Sequence, residues 1–279
     1  MSDAAALRAR RRHALFARLA ERPAVMGILN VTPDSFSDGG RFMATEAALA
    51  QARKLVADGA DILDVGAEST RPGSEPVSLD EEWRRLEAVL APLLREIDAP
   101  LSVDTSKAEI ARRALALGVC MVNDVGGLQH DPDMARVAAE AGAAAAAMYA
   151  RPEMDWERDV VADMEAFFDR TLAIAAEAGL PRAHVLLDPG LGFAKSRAQN
   201  HAALAATPRL SARYGLPVLI GVSRKRLFGD LSQGRCDDAL IGTLAANLAA
   251  LGRGARMFRV HDVAEHATAL KVFEMIDHA

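Results

Sequence analysis

The stretch AVMGILNVTPDSFSDGG, residues 24–40, passes from an apolar run into a polar loop. Mostly apolar residues succeed one another up to Leu29, which is typical of a parallel strand buried on both faces. The run breaks at Asn30, and turn-forming and hydroxyl residues soon follow. A helical stretch comes next. Residues 24–40 therefore predict one unit of an α/β fold, in which a buried strand leads through a polar loop into a helix.

The same unit recurs along the rest of the chain. Seven further apolar runs begin at Ala60, Leu101, Cys120, Ala143, His184, Leu216 and Arg256. The helices that follow the eight runs are predicted to begin near Thr45, Leu79, Lys107, Pro132, Trp156, Ser196, Asp237 and Val263. Eight strand–helix units in about 255 residues match the size of a (β/α)8 barrel.

A doubly wound open sheet is the main competing α/β architecture. It usually carries a Gly-x-Gly-x-x-Gly phosphate loop after its first strand, and no such loop follows residues 24–31. We therefore predict one (β/α)8 TIM-barrel domain over residues 23–279, preceded by a helical extension over residues 1–22. The arginine-rich extension faintly resembles an organelle transit peptide, but its acidic residues and its lack of serine enrichment favour a short helix.

The overall composition excludes several classes of protein. The 279 residues are 51% hydrophobic and 25% charged, with a net charge of −5, which argues against a nucleic-acid binder that relies on bulk positive charge. No apolar run reaches the roughly 20 residues of a membrane span. Cys120 and Cys236 form no CxxC pair, so we expect two ordinary thiols in a reducing, cytoplasmic compartment.

Polar or ionisable residues lie at the end of nearly every predicted strand. In a (β/α)8 barrel these ends converge on one face, where active sites lie. Each residue alone has a simpler reading: Asp104 or Asp188 as a helix cap, and Lys225 as a solvated surface side chain. The repetition favours a shared site. The residues concerned are Asn30, Asp64, Glu68, Asp104, Asn123, Tyr149, Asp188, Ser223, Arg224, Lys225, Arg259 and His261.

This expected site offers two kinds of chemistry. Asp104, Asn123 and Asp188 supply acceptors and an amide that suit the donor-rich edge of a heterocycle such as an aminopyrimidinone. Asn30 has a neutral oxygen that could hold one Mg²⁺ ion together with a phosphate. A phosphate or diphosphate is suited by cationic donors and a loop hydroxyl, here Arg71, Lys225, Arg259, His261 and Thr70.

Three other kinds of site fail on spacing. DPGLGFAKS lacks the Walker pattern, since Pro189 and Ala194 stand where glycines are needed. His261 and His266 are five positions apart, so they do not form HExxH. GVSRK lacks the second glycine of a nucleophile elbow. We therefore expect a site that binds its substrate and stabilises charge.

Seven motifs resemble those of the dihydropteroate synthase family in order and spacing: MGILNVTPDSFSDGG, GAESTRPGS, SVDTSK, NDVGGL, LDPGLGF, GVSRK and RVHDV. The resemblance runs from about Val25 to the C-terminus. It implies a (β/α)8 barrel, commonly a homodimer, in folate biosynthesis. Members join 6-hydroxymethyl-7,8-dihydropterin diphosphate to 4-aminobenzoate and release pyrophosphate, with Mg²⁺ as cofactor.

The resemblance also implies roles for individual residues. The pterin pocket would use Asp104, Asn123, Asp188 and Lys225, with Met148 and Phe193 as further substrate contacts. Asn30, Thr70, Arg259 and His261 would form the diphosphate and Mg²⁺ site, with Arg71 beside it. Phe36 and Pro72, on loops at 31–42 and 67–77, would wall the aminobenzoate ring. The catalytic residues would be Asp104, Asp188, Lys225, Arg259 and His261.

Three stretches depart from the family pattern, and one of them is GFAKS, residues 192–196, which replaces the commoner Gly-Lys-Thr form. Tyr149 stands where the family usually has histidine, and Arg226 stands where a serine near the aminobenzoate is common. Two alternatives remain open. A pterin-dependent methyltransferase shares the barrel and the pterin-binding residues but does not need the 31–42 loop or the cations. A pterin-binding paralogue without turnover is the other.

Overall fold

The computed structural model describes residues 3–31, 40–68, 77–225, 227 and 236–277, with the backbone alone at 40–44 and 236–238. Eight parallel strands alternate with helices in these ranges. The strands are β1 (Ala24–Asn30), β2 (Ile62–Gly66), β3 (Leu101–Asp104), β4 (Met121–Asp124), β5 (Ala144–Met148), β6 (Val185–Asp188), β7 (Leu219–Ile220) and β8 (Met257–Val260).

The helices surround the strands, as the repeated sequence unit predicts. They are α1 (Asp3–Glu21), α2 (Gly40–Ala57), α3 (Leu79–Glu96), α4 (Ala108–Leu117), α5 (Met134–Ala141), α6 (Val160–Glu177), α7 (Arg197–Ala205), α8 (Thr207–Tyr214), α9 (Cys236–Leu251) and α10 (Val263–Asp277). A short 3-10 helix, Arg182–His184, precedes β6. None of the helices in the described ranges combines the length and the apolar character of a membrane span.

The strands close into a barrel. They are hydrogen-bonded in the order β6-β5-β4-β3-β2-β1-β8-β7. The gap between β6 and β7 is bridged just before β7, where Leu187 pairs with Val218. The backbone N–H of Leu187 also donates to the carbonyl of Pro217 at 3.0 Å. The predicted (β/α)8 TIM barrel is therefore confirmed, and the competing open sheet is excluded.

The alanine run at 144–147 forms a strand in spite of its composition. Alanine favours helices in isolation, yet all four alanines of β5 are completely buried. They pair in parallel with β4 on one side and β6 on the other, as in Asn123↔Ala146 and Ala146↔Leu186. Tertiary pairing overrides local propensity here.

Three helix predictions needed correction. Helix α2 begins at Gly40 rather than near Thr45. One helix was expected after β6, but two are present, α7 and α8. The break comes at Pro208, which has no backbone N–H to continue α7 and lies within the first two positions of α8. Helix α6 begins at Val160 rather than near Trp156. Its start is fixed by the side chain of Asp159, which accepts from the backbone N–H groups of Val161 and Ala162 at 3.1 Å.

Helix α1 closes the amino-terminal end of the barrel. Leu15 and Leu19 are buried against the lower interior layer of the strands. Three arginines of α1 donate to carbonyl groups at the carboxyl ends of other helices, where the regular helical hydrogen bonds run out. Arg8 reaches Leu115 at 2.5 Å and Ala141 at 2.7 Å, Arg11 reaches Ile97, and Arg12 reaches Gly142.

Candidate active site

The polar residues at the strand ends are neighbours in the sheet register. Gly66 at the end of β2 pairs with Asn30 on one side and with Asp104 on the other, and Asp104 pairs with Asn123. A Cβ at Gly66 would lie 3.3 Å from the Cβ of Asp104, so glycine allows the two strands to approach here. The convergence predicted from the strand ends is thus present at the carboxyl end of the barrel.

Arg259 on β8 links this group across the barrel. Its Nε donates to Asp64 Oδ2 at 2.6 Å, and its Nη2 donates to Asp104 Oδ2 at 2.6 Å. Asn123 Nδ2 donates to the same oxygen of Asp64 at 3.0 Å. The cluster Asp64–Arg259–Asp104–Asn123 therefore joins β2, β3, β4 and β8, and it holds one guanidinium between two carboxyl groups.

Burial sets the charges in this cluster. Burial opposes the charge on Arg259, but the nearby carboxylates of Asp64 and Asp104 raise its pKa, so the guanidinium stays protonated. Burial raises the pKa of Asp104 to about 7, although Arg259 acts to lower it. Asp64 Oδ1 is buried and has no hydrogen-bond partner among the described residues. An unpaired buried acceptor is costly, so this oxygen is suited to accept a donor from a ligand.

Asp188 ends β6 beside Met148 of β5, which is its register partner. Its Oδ1 accepts the backbone N–H of Gly190 at 2.7 Å. Burial raises the pKa of Asp188, whereas Lys225 and that hydrogen bond lower it. Its Oδ2 faces Gly221, where a Cβ would lie 3.6 Å away, in ordinary van der Waals contact.

Lys225 approaches from the segment after β7. Its Nζ donates to the carbonyl of Leu191 at 2.5 Å and lies 4.3 Å from the ring centroid of Phe193. Loss of hydration lowers the pKa of Lys225 to about 8, while Asp188 acts to raise it. The lysine is thus held by a carbonyl and an aromatic ring of the loop that follows β6.

His261 follows β8 and is oriented by Ser223. The Ser223 Oγ lies 2.9 Å from His261 Nδ1 and accepts the backbone N–H of His261 at 3.1 Å. A hydroxyl can donate to a neutral imidazole nitrogen or accept from a protonated one. Ser223 can therefore hold the same ring orientation in both charge states of His261.

The structure brings together most of the predicted site residues. Half-buried Asn30 ends β1 and buried Met148 ends β5, and Phe193 contacts Lys225. Four predicted residues, Phe36, Thr70, Arg71 and Pro72, lie outside the described residues, as does Arg226.

Sequence reasoning gave no role to three residues at this site. Asp64 was recognised as polar, yet its pairing with Arg259 was not foreseen. A carboxylate inside the apolar run ILDVG is the signal that could have found it, because a charge there needs a partner. Ser223 was noted only as a polar strand end, and Lys195 carried no signal beyond its position in DPGLGFAKS.

The described residues include no cluster of three or more histidine, cysteine, aspartate or glutamate side chains that could hold a metal ion. Asn30 offers a single neutral oxygen. That donor set suits a magnesium ion that arrives with phosphate oxygens, since Mg²⁺ commonly binds through few protein ligands plus substrate phosphates.

A family model described as pterin binding enzyme matches residues 26–261. The chain belongs to the pterin binding enzyme family. Within this family it is 42% identical over 254 residues to the dihydropteroate synthase of Bacillus subtilis, covering 91% of this chain and 88% of that protein. The resemblance carried by the seven motifs is confirmed.

Solved structures of the pterin binding enzyme family agree. The dihydropteroate synthase of Clostridium difficile, solved in the presence of pteroic acid, superposes with a TM-score of 0.88 at 41% identity and covers 92% of this chain and 97% of that one. The Xanthomonas albilineans enzyme with 4-aminobenzoic acid gives a TM-score of 0.87 at 43% identity, covering 93% and 94%.

Proposed function

We propose that this protein is a dihydropteroate synthase. It would join 6-hydroxymethyl-7,8-dihydropterin diphosphate to 4-aminobenzoate, giving 7,8-dihydropteroate and pyrophosphate in folate biosynthesis. The observation that carries the proposal is the cluster Asp64–Arg259–Asp104–Asn123 at the strand ends, next to Asp188 and Lys225, in a chain about 40% identical to dihydropteroate synthases along most of its length.

The pterin ring would bind among the buried acceptors. Asp104, Asn123 and Asp188 are each less than a tenth exposed, and their oxygens match the N–H groups of an aminopyrimidinone. Lys225 would supply a donor to a ring oxygen or nitrogen. Met148 and Phe193 would contribute apolar contacts to the ring.

The leaving diphosphate would bind on the cationic side of the cluster. Arg259 and His261 are proposed to neutralise the charge that develops on it, together with Thr70 and Arg71. The bond between the methylene carbon and the diphosphate oxygen breaks, and diphosphate keeps the electron pair. The methylene cation is delocalised into the pterin, and the negative charge of Asp188 would favour it.

The amine of 4-aminobenzoate completes the reaction. Its nitrogen lone pair forms the new C–N bond, and the nitrogen then loses one proton to water. Phe36 and Pro72 are proposed to wall its ring. Because sulfonamides resemble 4-aminobenzoate in shape, they are expected to compete for this position.

Magnesium is proposed as the cofactor, held by Asn30 and by the oxygens of the diphosphate. When bound, it would supply Lewis-acid stabilisation of the leaving group's charge. Asn30 would orient the ion, while Arg259 and His261 neutralise the diphosphate directly.

A homodimer is proposed through α9 and α10. Among the described residues, the exposed large apolar side chains include Ile241 on α9 and Val272, Met275 and Ile276 on α10, each at least half exposed. Apolar groups on two neighbouring helices suit a self-complementary interface. Sedimentation velocity tests this, and cell fractionation tests the cytoplasmic location predicted from the thiols.

A pyrophosphate-release assay with both substrates tests the proposed reaction. The expected result is pyrophosphate and dihydropteroate in equal amounts, dependent on 4-aminobenzoate. Calorimetric pterin binding without turnover would instead identify a non-catalytic paralogue. Methyl transfer from a methylated pterin, without pyrophosphate release, would identify a methyltransferase.

A further inference from the structure

Two lysines hold the loop that follows β6 from two sides. Lys195 Nζ donates to the carbonyl of Gly190 at 2.7 Å and to that of Phe193 at 3.1 Å. Lys225 Nζ donates to the carbonyl of Leu191, which lies between Gly190 and Phe193 in the sequence. It also lies over the Phe193 ring. Backbone carbonyl groups of this loop therefore accept hydrogen bonds from two ammonium groups. Only one of these lysines, Lys225, was assigned a role above.

The ammonium group of Lys195 lies over the aromatic ring of Tyr149. Its Nζ lies 4.5 Å from the ring centroid, and only 8% of the residue is exposed. The Tyr149 hydroxyl donates to Asp163, whose carboxylate also receives two hydrogen bonds from Arg151 at 2.8 and 2.9 Å. The backbone N–H of Tyr149 donates to the carbonyl of Asp188 at 2.8 Å. Lys195 thus packs on the ring of Tyr149, and the backbone of Tyr149 is hydrogen-bonded to the end of β6.

The loop has a conformation that needs such support. Gly190 has φ +62°, and a Cβ there would lie 2.0 Å from the carbonyl oxygen of Tyr149. Gly192 has φ +85°, and a Cβ there would lie 2.7 Å from Cδ of Lys225. Ala194 has φ +40°, an unfavourable value for a residue with a side chain. The hydrogen bonds of Lys195 therefore act on a closely packed loop, together with those that Gly190 N–H donates to Asp188 and Gly192 N–H donates to Asn200.

The charge on Lys195 is opposed by burial and favoured by the nearby carboxylate of Asp188. Burial lowers the pKa of Lys195 to about 7, Asp188 acts to raise it, and Lys225 acts to lower it. The two carbonyl groups and the aromatic face stabilise the ammonium where water is scarce. Replacing this cation removes the contacts that join the two ends of the loop.

We propose that Lys195 is a positioning residue for Lys225: its ammonium fixes the loop whose Leu191 carbonyl and Phe193 ring hold the Lys225 ammonium beside Asp188. Lys195 does not itself touch the pterin. The inference rests on the proposed function, because the position of Lys225 is measured through the pterin substrate.

The test is a double-mutant cycle with Lys195→Met and Lys225→Met in the full-length protein. Lys195→Met is expected to raise the KM for the pterin diphosphate about tenfold while leaving the KM for 4-aminobenzoate within about twofold. In the Lys225→Met background the same change is expected to have less than about a twofold effect. Lys54→Met, at an exposed position of α2, is the matched control and is expected to change neither constant.

The cycle is measured both by turnover and by calorimetric affinity for the pterin diphosphate. Equal effects of Lys195→Met in the two backgrounds would overturn the positioning role while leaving the proposed reaction intact. A wild-type protein that binds the pterin without turnover would overturn the reaction, and the cycle would then be decided on affinity. A wild type that does neither would overturn both. If Lys195→Met fails to melt cooperatively, Lys195→Gln, which keeps a donor without the charge, replaces it.

Discussion

Arg259 Nη2 donates to Asp104 Oδ2 at 2.6 Å, so the cation proposed for the leaving group is bonded to a carboxylate proposed for the pterin. The two halves of the site are one ion-paired cluster. A diphosphate that attracts Arg259 would therefore also change the surroundings of Asp104. Binding of the diphosphate is therefore expected to change the affinity of the site for the pterin ring.

Arg259→Ala is expected to lower turnover by about 10³-fold, because it removes a donor aimed at the developing charge. It also leaves the carboxyl group of Asp104 without its cation, which acts to lower the pKa of that carboxyl, so the pKa of Asp104 should rise. The variant should be less stable than the wild type at pH 8 and recover part of that difference at pH 5. Steady-state kinetics and urea unfolding at both pH values measure this. Unchanged rates would remove Arg259 from the reaction.

Asp188→Asn is expected to weaken pterin binding by about tenfold, because a charged acceptor becomes a neutral amide. Calorimetry with the pterin diphosphate measures the affinity. Asp169→Asn, in an exposed ion pair with Arg213 on the outside of the barrel, is the control and should bind like the wild type. An affinity of Asp188→Asn equal to that of the wild type would place Asp188 outside the pocket.

The stability of the protein without ligand should fall as the pH rises through Asp104's titration. Burial raises the pKa of this carboxyl from 3.8 to about 7, so the folded state binds more protons than the unfolded state between about pH 4 and 7. The contribution to the free energy of unfolding is complete below pH 4. It decreases by at most about 1.4 kcal/mol per pH unit up to pH 7.

Asp104→Asn removes that titration and gives the matched comparison. Relative to the wild type, the variant should gain stability as the pH is raised from 5 to 7. Urea unfolding at unit pH intervals measures the difference. A constant difference across this range would show that Asp104 titrates at an ordinary value.

Ser223→Ala should release the imidazole of His261 from its fixed orientation. The expected result is a KM for the pterin diphosphate raised by about tenfold, with the melting temperature nearly unchanged, since the hydroxyl contributes about 1 kcal/mol. Nitrogen NMR of the imidazole should show a changed tautomer distribution. Ser223→Thr, which keeps the hydroxyl, should restore both readings. An unaltered His261 spectrum in Ser223→Ala would contradict this role.

Arg8→Met should destabilise the barrel without affecting substrate binding. The side chain donates to the carbonyls of Leu115 and Ala141. Leu115 would keep the N–H of Gly118 as a donor, and leaving the Ala141 carbonyl without a partner is expected to cost about 1–3 kcal/mol. Arg10→Met is the control, because the Arg10 side chain is 71% exposed and its contact with Asp98 is 3.9 Å long. Urea unfolding compares the two. Equal stabilities would show that α1 does not depend on these hydrogen bonds.

The sequence predicted the barrel because each strand buries a run of apolar residues and each run ends in a polar residue. Those are local patterns, and they also placed Asp104, Asn123 and Asp188 on one face. Side-chain pairings such as Arg259 with Asp64, 195 positions apart, leave no periodic trace, so the ion-paired cluster was not foreseen. The break at Pro208 was visible in the sequence but was overlooked.

The roles of the loop residues remain predictions. Phe36, Thr70, Arg71 and Pro72 were assigned through motif resemblance, and they lie outside the described residues. The anchor of one of these loops is nevertheless described. Glu68 accepts from the backbone N–H of Val77 at 3.2 Å, so the two residues that flank positions 69–76 are hydrogen-bonded to each other.

The arginines of α1 have a consequence for how the chain is made. They bond to carbonyls 86 to 133 positions further along, so α1 cannot complete these hydrogen bonds until the chain has been synthesised past α5. Until then Leu15 and Leu19 also lack the part of their apolar cluster that β4 and β5 supply, including Met121 and Ala144. Nascent chains cut short before α5 should therefore bind chaperones through this helix.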